Sequence, residues 1–151
     1  MKRFASFEVN HDTVTKGMYI SRIDGDIVTY DIRMKIPNGG DYLDYDAVHT
    51  FEHLFATYAR NTKYSENVIY VGPMGCRTGF YFLVRDMSQE QALKLIKDTI
   101  KKCAEHTGDI PGTTAAECGN YIEHDINGAY SALKEYYNLL IDYSVDNLQY
   151  N

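Results

Sequence analysis

Leu43 to Asn61 reads LDYDAVHTFEHLFATYARN, a stretch without glycine or proline whose periodicity predicts a helix. At about 100° per residue, positions four apart return to one face, so His49 and His53 project side by side. Val48, Phe51, Phe55 and Tyr58 form a separate apolar stripe. The helix can therefore pack on the rest of the protein through one side and present His49, Glu52 and His53 on another. The order His49-Thr50-Phe51-Glu52-His53 is that of the inverted zinc-binding motif, in which two imidazoles bind metal and the glutamate beside it moves protons. The bland alternative is a pair of surface histidines on an acidic helix. Glu52 at the right place, and two of the chain's five histidines within one turn, favour the metal.

Such a helix needs a surface to pack on, and the flanking sequence supplies strands. Met18 to Ile23, then Val28, Tyr30, Ile32, Met34 and Ile36 alternating with Thr29, Asp31, Arg33 and Lys35, predict a hairpin about Asp24-Gly25 with its second strand half buried. On this pattern Arg33 is an ordinary solvated charge. Pro37-Asn38-Gly39-Gly40 ends the strand. Downstream, Asn67 to Val71 and Gly79 to Arg85 predict two more strands. Ser88 to His106 predicts an amphipathic helix with Ser88 as N-cap and Cys103 as a core filler. A last helix is expected from about Gly128 to Leu148, with Leu133, Tyr137, Leu140, Ile141, Val145 and Leu148 on its apolar side. Residues 1–17 read as irregular, and the lone His11 there reads as structural. The sum is an α+β fold, an antiparallel β-sheet with helices packed on one face.

The chain has 151 residues, enough for one domain over 1–151 that buries about 68–70% of its unfolded surface without help from disulfides or metal. A metal would then serve chemistry rather than folding. Fifteen Lys and Arg against 21 Asp and Glu give a formal charge of −6, which offers a phosphate backbone no basic footprint. Nucleic acid is not an expected partner. The start MKRFASFEVNH lacks the apolar run of a signal peptide, and no stretch approaches the roughly 18 apolar residues of a membrane span. A soluble cytoplasmic protein is expected. Three cysteines cannot all pair within one chain, so each thiol is a ligand, a reactive group or core filler.

A catalytic metal usually has three protein ligands, and two histidines leave one to find. Cys76, Cys118, Glu117, His11, His106 and His124 are candidates, and local reading does not choose among them. Cys76 lies in the glycine-punctuated turn Gly72 to Gly79 beside Arg77, where a guanidinium favours a thiolate able to act as base or nucleophile. One cysteine with two histidines is competent for Zn²⁺ and Fe²⁺. If Cys118 ligates, Cys76 stays free for acid-base work. Two rivals differ here. An inverted-motif zinc peptidase would take Glu117 as its third ligand, and a binding or sensory module would have a closed structural site that chelation unfolds.

Several segments then combine. Ser6-Phe7-Glu8, Asp31-Ile32-Arg33, His49-Thr50-Phe51-Glu52-His53-Leu54, Pro73-Met74-Gly75-Cys76-Arg77-Thr78-Gly79-Phe80-Tyr81 and Glu117-Cys118-Gly119-Asn120-Tyr121, in this order and in a chain of this length, closely resemble the S-ribosylhomocysteine lyase (LuxS) family. The resemblance covers nearly the whole chain. It implies that His49, His53 and Cys118 are the metal ligands, that Glu52 and Cys76 are the acid-base pair, and that Ser6, His11 and Arg33 line the substrate site. It further implies a homodimer with active sites at the subunit interface and one divalent metal per subunit, generally Fe²⁺, with Zn²⁺ or Co²⁺ also serving. The implied reaction cleaves the thioether of S-ribosylhomocysteine to homocysteine and 4,5-dihydroxy-2,3-pentanedione, the precursor of the autoinducer-2 signal. One departure stands out: many members read Asp-Ile-Ser where this chain has Tyr70-Val71-Gly72.

Overall fold

Alternation in the strands decides which face of the sheet receives the helices. In the computed structural model, which describes residues 1–150, Gly17–Asp24 (β1) and Ile27–Arg33 (β2) pair antiparallel, from Gly17 opposite Arg33 to Asp24 opposite Ile27. Gly25, at φ 63°, takes the left-handed conformation that so tight a loop requires. The turn is centred on Gly25 and Asp26, one residue later than the Asp-Gly pair suggests. Val68–Pro73 (β3) and Gly79–Arg85 (β4) complete a four-stranded antiparallel sheet in the order β1-β2-β4-β3. Ile32 lies opposite Phe80, Tyr30 opposite Phe82 and Val28 opposite Val84. These residues belong to the core on one face.

Three helices cover that face: Tyr45–Arg60 (α1), Gln89–Ala104 (α2) and Ile126–Leu140 (α3). α1 sits on the sheet through Phe51, stacked on Phe80 at 4.1 Å, and Phe55, edge-on to Phe82 at 5.1 Å. Val48 and Leu54 are buried beside them, and Tyr58 is half-buried. α2 opens with a capping box in which Ser88 Oγ accepts from Gln91 N–H at 3.1 Å and Gln91 Oε1 accepts from Ser88 N–H at 2.9 Å. Cys103 is fully buried, and burial pushes its thiol up, as suits a core filler.

Two expectations need correction. α3 stops at Leu140 instead of running to Leu148, because Ser144 caps a separate 3₁₀ turn, Val145–Asn147. Lys97 Nζ, on α2, donates to the carbonyls of Ile141 at 3.2 Å and Tyr143 at 2.5 Å, which fixes the break. Ile141 is consequently exposed, while Leu148 returns to the core after the chain reverses. Ile36 is also exposed: β2 ends at Arg33, and Met34, just beyond it, is the last inward residue. On the opposite face of the sheet, β2 and β4 present Thr29, Asp31, Arg33, Tyr81 and Leu83, with Phe4 and Ser6 of the N-terminal segment alongside.

Candidate metal centre

α1 aims His49 and His53 at the loop between α2 and α3. His49 Nδ1 donates to the Glu123 carbonyl at 2.9 Å, and His53 Nδ1 donates to the Pro111 carbonyl at 2.7 Å. A carbonyl only accepts, so both ring protons sit on Nδ1 and both Nε2 lone pairs are free. Cys118 Sγ lies 3.4 Å from His49 Nε2 and 3.7 Å from His53 Nε2. Metal bonds of about 2.3 Å to sulfur and about 2.0–2.1 Å to nitrogen, meeting at a tetrahedral angle, separate such donors by about 3.5 Å. Both sulfur–nitrogen separations therefore suit a shared divalent transition metal. Gly112, at φ 72°, lets the loop close on His53; a Cβ there would come within 3.2 Å of the ring's Nδ1.

His124 joins the group, since one donor atom from each of His49, His53, Cys118 and His124 falls within 4.8 Å of the others. Its ring, however, stacks on His49 with centroids 4.0 Å apart and planes 22° from parallel. The stack sets His124 against the face of His49, and its Nε2 is buried without a hydrogen-bond partner among the described residues. Buried Thr50 holds it from behind, 3.0 Å from Nδ1, while accepting Asp125 N–H at 2.9 Å. Burial, then the neighbouring imidazoles, hold His124 below the usual histidine range. The other candidate ligands are engaged elsewhere. His106 pairs with the Tyr58 hydroxyl and the Asp109 carbonyl, and Glu117 accepts from its own loop's Thr114 hydroxyl at 2.7 Å. Glu52, half-buried, lies on α1 between the two histidines.

Cys76 belongs to a second group. A cavity of about 350 Å³ is lined by Ser6, His11, Arg33, Cys76 and Tyr81 among others, so the residues expected to contact substrate do converge. Neither this cavity nor the adjoining one on Tyr42 and Tyr45 shares a residue with the cavity beside His124, which Ile110, Thr113 and Tyr121 help to line. Arg33 is not the solvated charge that its strand position suggests. It is 2% exposed, and its Nε and Nη2 donate to the two oxygens of fully buried Asp31 at 3.1 and 2.7 Å. Residues two apart on a strand share a face, which is how the sequence Asp-Ile-Arg builds a buried pair. Burial alone would lower the guanidinium, but Asp31 outweighs it and holds Arg33 above its ordinary value. Arg33 Nη1 donates to Thr78 Oγ1 at 2.8 Å, and that hydroxyl lies 3.0 Å from Cys76 Sγ. Arg77, adjacent in sequence, takes a left-handed φ of 59° and turns away to the Leu43 carbonyl and the Tyr45 ring. The cation joined to the thiol, through Thr78, is Arg33.

The family model described as S-Ribosylhomocysteinase (LuxS) matches residues 4–146. The chain belongs to the LuxS family. The S-ribosylhomocysteine lyase of Clostridium acetobutylicum is 42% identical over 99% of this chain and 99% of its own length. That of Phocaeicola vulgatus is 41% identical over 99% of this chain and 98% of its own, and that of Finegoldia magna 39% identical over 99% of both. In this LuxS chain, Asp31, Thr78, Tyr150 and the stacked His124 are site features that the linear sequence did not single out as a set. Tyr150 donates to Asp31 Oδ2 at 2.6 Å and stacks on Tyr19 at 4.8 Å, from beyond the residues that the LuxS model matches. The Tyr70-Val71-Gly72 departure also has a physical form. The Tyr70 ring lies over Gly72, where a Cβ would collide with it, so the two residues come as a pair. Among the described residues, no helix is long and apolar enough to cross a membrane.

Proposed function

We propose that the protein is a metal-dependent carbon-sulfur lyase that cleaves S-ribosylhomocysteine to homocysteine and 4,5-dihydroxy-2,3-pentanedione. The observation that carries this reading is the different setting of two thiols: Cys118 within 3.4 and 3.7 Å of free imidazole nitrogens, and Cys76 exposed in a cavity with Arg33, Ser6 and His11. His49, His53 and Cys118 would hold one divalent ion per subunit, Fe²⁺ first, with Zn²⁺ or Co²⁺ also competent. When bound, that ion supplies a Lewis acid for the carbonyl and hydroxyl oxygens of the sugar. Cys76 Sγ takes the proton from sugar carbon 2 and returns it at carbon 1, which moves the carbonyl inward. The Glu52 carboxylate serves the next migration and then removes the proton whose loss expels the homocysteine sulfur, β to the carbonyl. Ser6, His11 and Arg33 orient the substrate in the Cys76 cavity.

The working form is a homodimer in which each site draws on both subunits. The metal donors project from α1 and the loop between α2 and α3, whereas Arg33, Ser6 and Tyr81 lie on the face of the sheet that α1 does not cover. Exposed Phe4, Phe7 and Tyr70 provide apolar surface for a second copy. A single lyase unit over residues 1–151, acting in the cytoplasm, completes the proposal. Incubation of the Fe²⁺- or Co²⁺-loaded protein with S-ribosylhomocysteine, read by free-thiol release, tests it. Absence of released homocysteine from a protein with metal bound one per subunit refutes it.

A further inference from the structure

The hydroxyl of Thr78 stands between two groups of fixed character. A guanidinium only donates, so at 2.8 Å Thr78 Oγ1 accepts from Arg33 Nη1. That contact leaves the single hydroxyl hydrogen unused. Its acceptors within reach are Cys76 Sγ at 3.0 Å and Met74 Sδ at 4.0 Å, and the nearer is the candidate base. Thr78 is 2% exposed, so water does not compete for the hydrogen. The backbone fixes its position as well: Met34 N–H and Lys35 N–H both donate to the Thr78 carbonyl at 2.9 Å, which ties the residue to the end of β2 beside Arg33.

We infer that Thr78 is the positioning residue for Cys76: its hydroxyl, polarised by Arg33, donates to Sγ and points the sulfur into the cavity shared with Ser6 and His11. A donor facing sulfur interacts best with the form that carries negative charge, and successive hydrogen bonds strengthen one another. The chain from Asp31 through Arg33 and Thr78 thus ends on the atom that has to accept a proton. The inference rests on Cys76 being the base.

The test is the rate at which iodoacetamide alkylates Cys76 in the metal-loaded protein at fixed pH, read by mass spectrometry of the Cys76 peptide. Thr78→Val and Thr78→Ala remove the hydroxyl, and Thr78→Ser keeps it while losing the methyl group. The hydroxyl-free variants are expected to alkylate about threefold to tenfold more slowly, with the serine variant within about twofold of the parent. Melting curves identify which variants fold, and either folded hydroxyl-free variant suffices. Parental rates in Thr78→Val or Thr78→Ala overturn the inference, and so does a serine variant as slow as they are, which would assign the effect to packing. Undiminished homocysteine release by Cys76→Ala would overturn the base assignment instead, and leaves the alkylation comparison readable.

Discussion

Cys118 and Cys76 carry the same side chain into different surroundings, and their substitutions separate accordingly. Cys118 lies against two Nε2 atoms whose ring protons are committed to carbonyls, so Cys118→Ala is expected to lose the metal and, with it, turnover. Cys76→Ala is expected to keep one metal per subunit and to lose homocysteine release by about 10²-fold or more. Metal analysis beside the thiol-release assay checks both, and equal metal loss in the two variants contradicts the assignment. Glu52→Gln is expected to keep the metal and to block the elimination, so homocysteine release at the parental rate would remove Glu52 from the mechanism. The His49, Glu52 and His53 side of this site is legible in sequence because helical spacing is local. The Arg33 side is not, because register across β2 and β4 sets which cation reaches Cys76. Arg77, the neighbour in sequence, instead donates to the Leu43 carbonyl and lies over the Tyr45 ring.

At the scale of elements, ends are legible where a side chain caps them and obscure where a distant one does. Ser88 announces α2 from its own sequence, through a box closed by Gln91. Ser88→Ala removes one half of it and is expected to lower stability by about 1 kcal/mol, measured by urea unfolding. The end of α3 depends on Lys97 of a different helix, which no pattern within residues 126–148 reveals. The tail beyond it carries a second prediction. Burial and the Asp31 charge push the Tyr150 hydroxyl well up, so it remains a donor to a carboxylate already shared with Arg33. Tyr150→Phe deletes that charge-assisted bond and keeps the stack on Tyr19, so a loss of about 1.5 kcal/mol is expected. Parental stability in Tyr150→Phe would show that the tail merely rests on the sheet.

For the whole molecule, the placement of the two groups gives the proposed homodimer its tests. His49, His53, Cys118 and His124 are all only half-buried, so chelation is expected to abolish turnover while the protein keeps a cooperative melt. Loss of the melt on chelation would instead favour a structural site. The sharper prediction concerns mixing. In a dimer whose sites pair the metal donors of one subunit with Cys76 of the other, a hybrid of Cys118→Ala and Cys76→Ala subunits has one site with both defects and one with neither. Random reassociation makes half of the dimers hybrids, so two inactive preparations together recover about a quarter of the parental rate. Sites built within single subunits give no recovery, because every subunit in the mixture then carries its own defect. Unfolding and refolding the two variants together, with metal present, and assaying homocysteine release decides between these arrangements. Recovery near a quarter places Cys76 across the interface from the ion that its reaction requires.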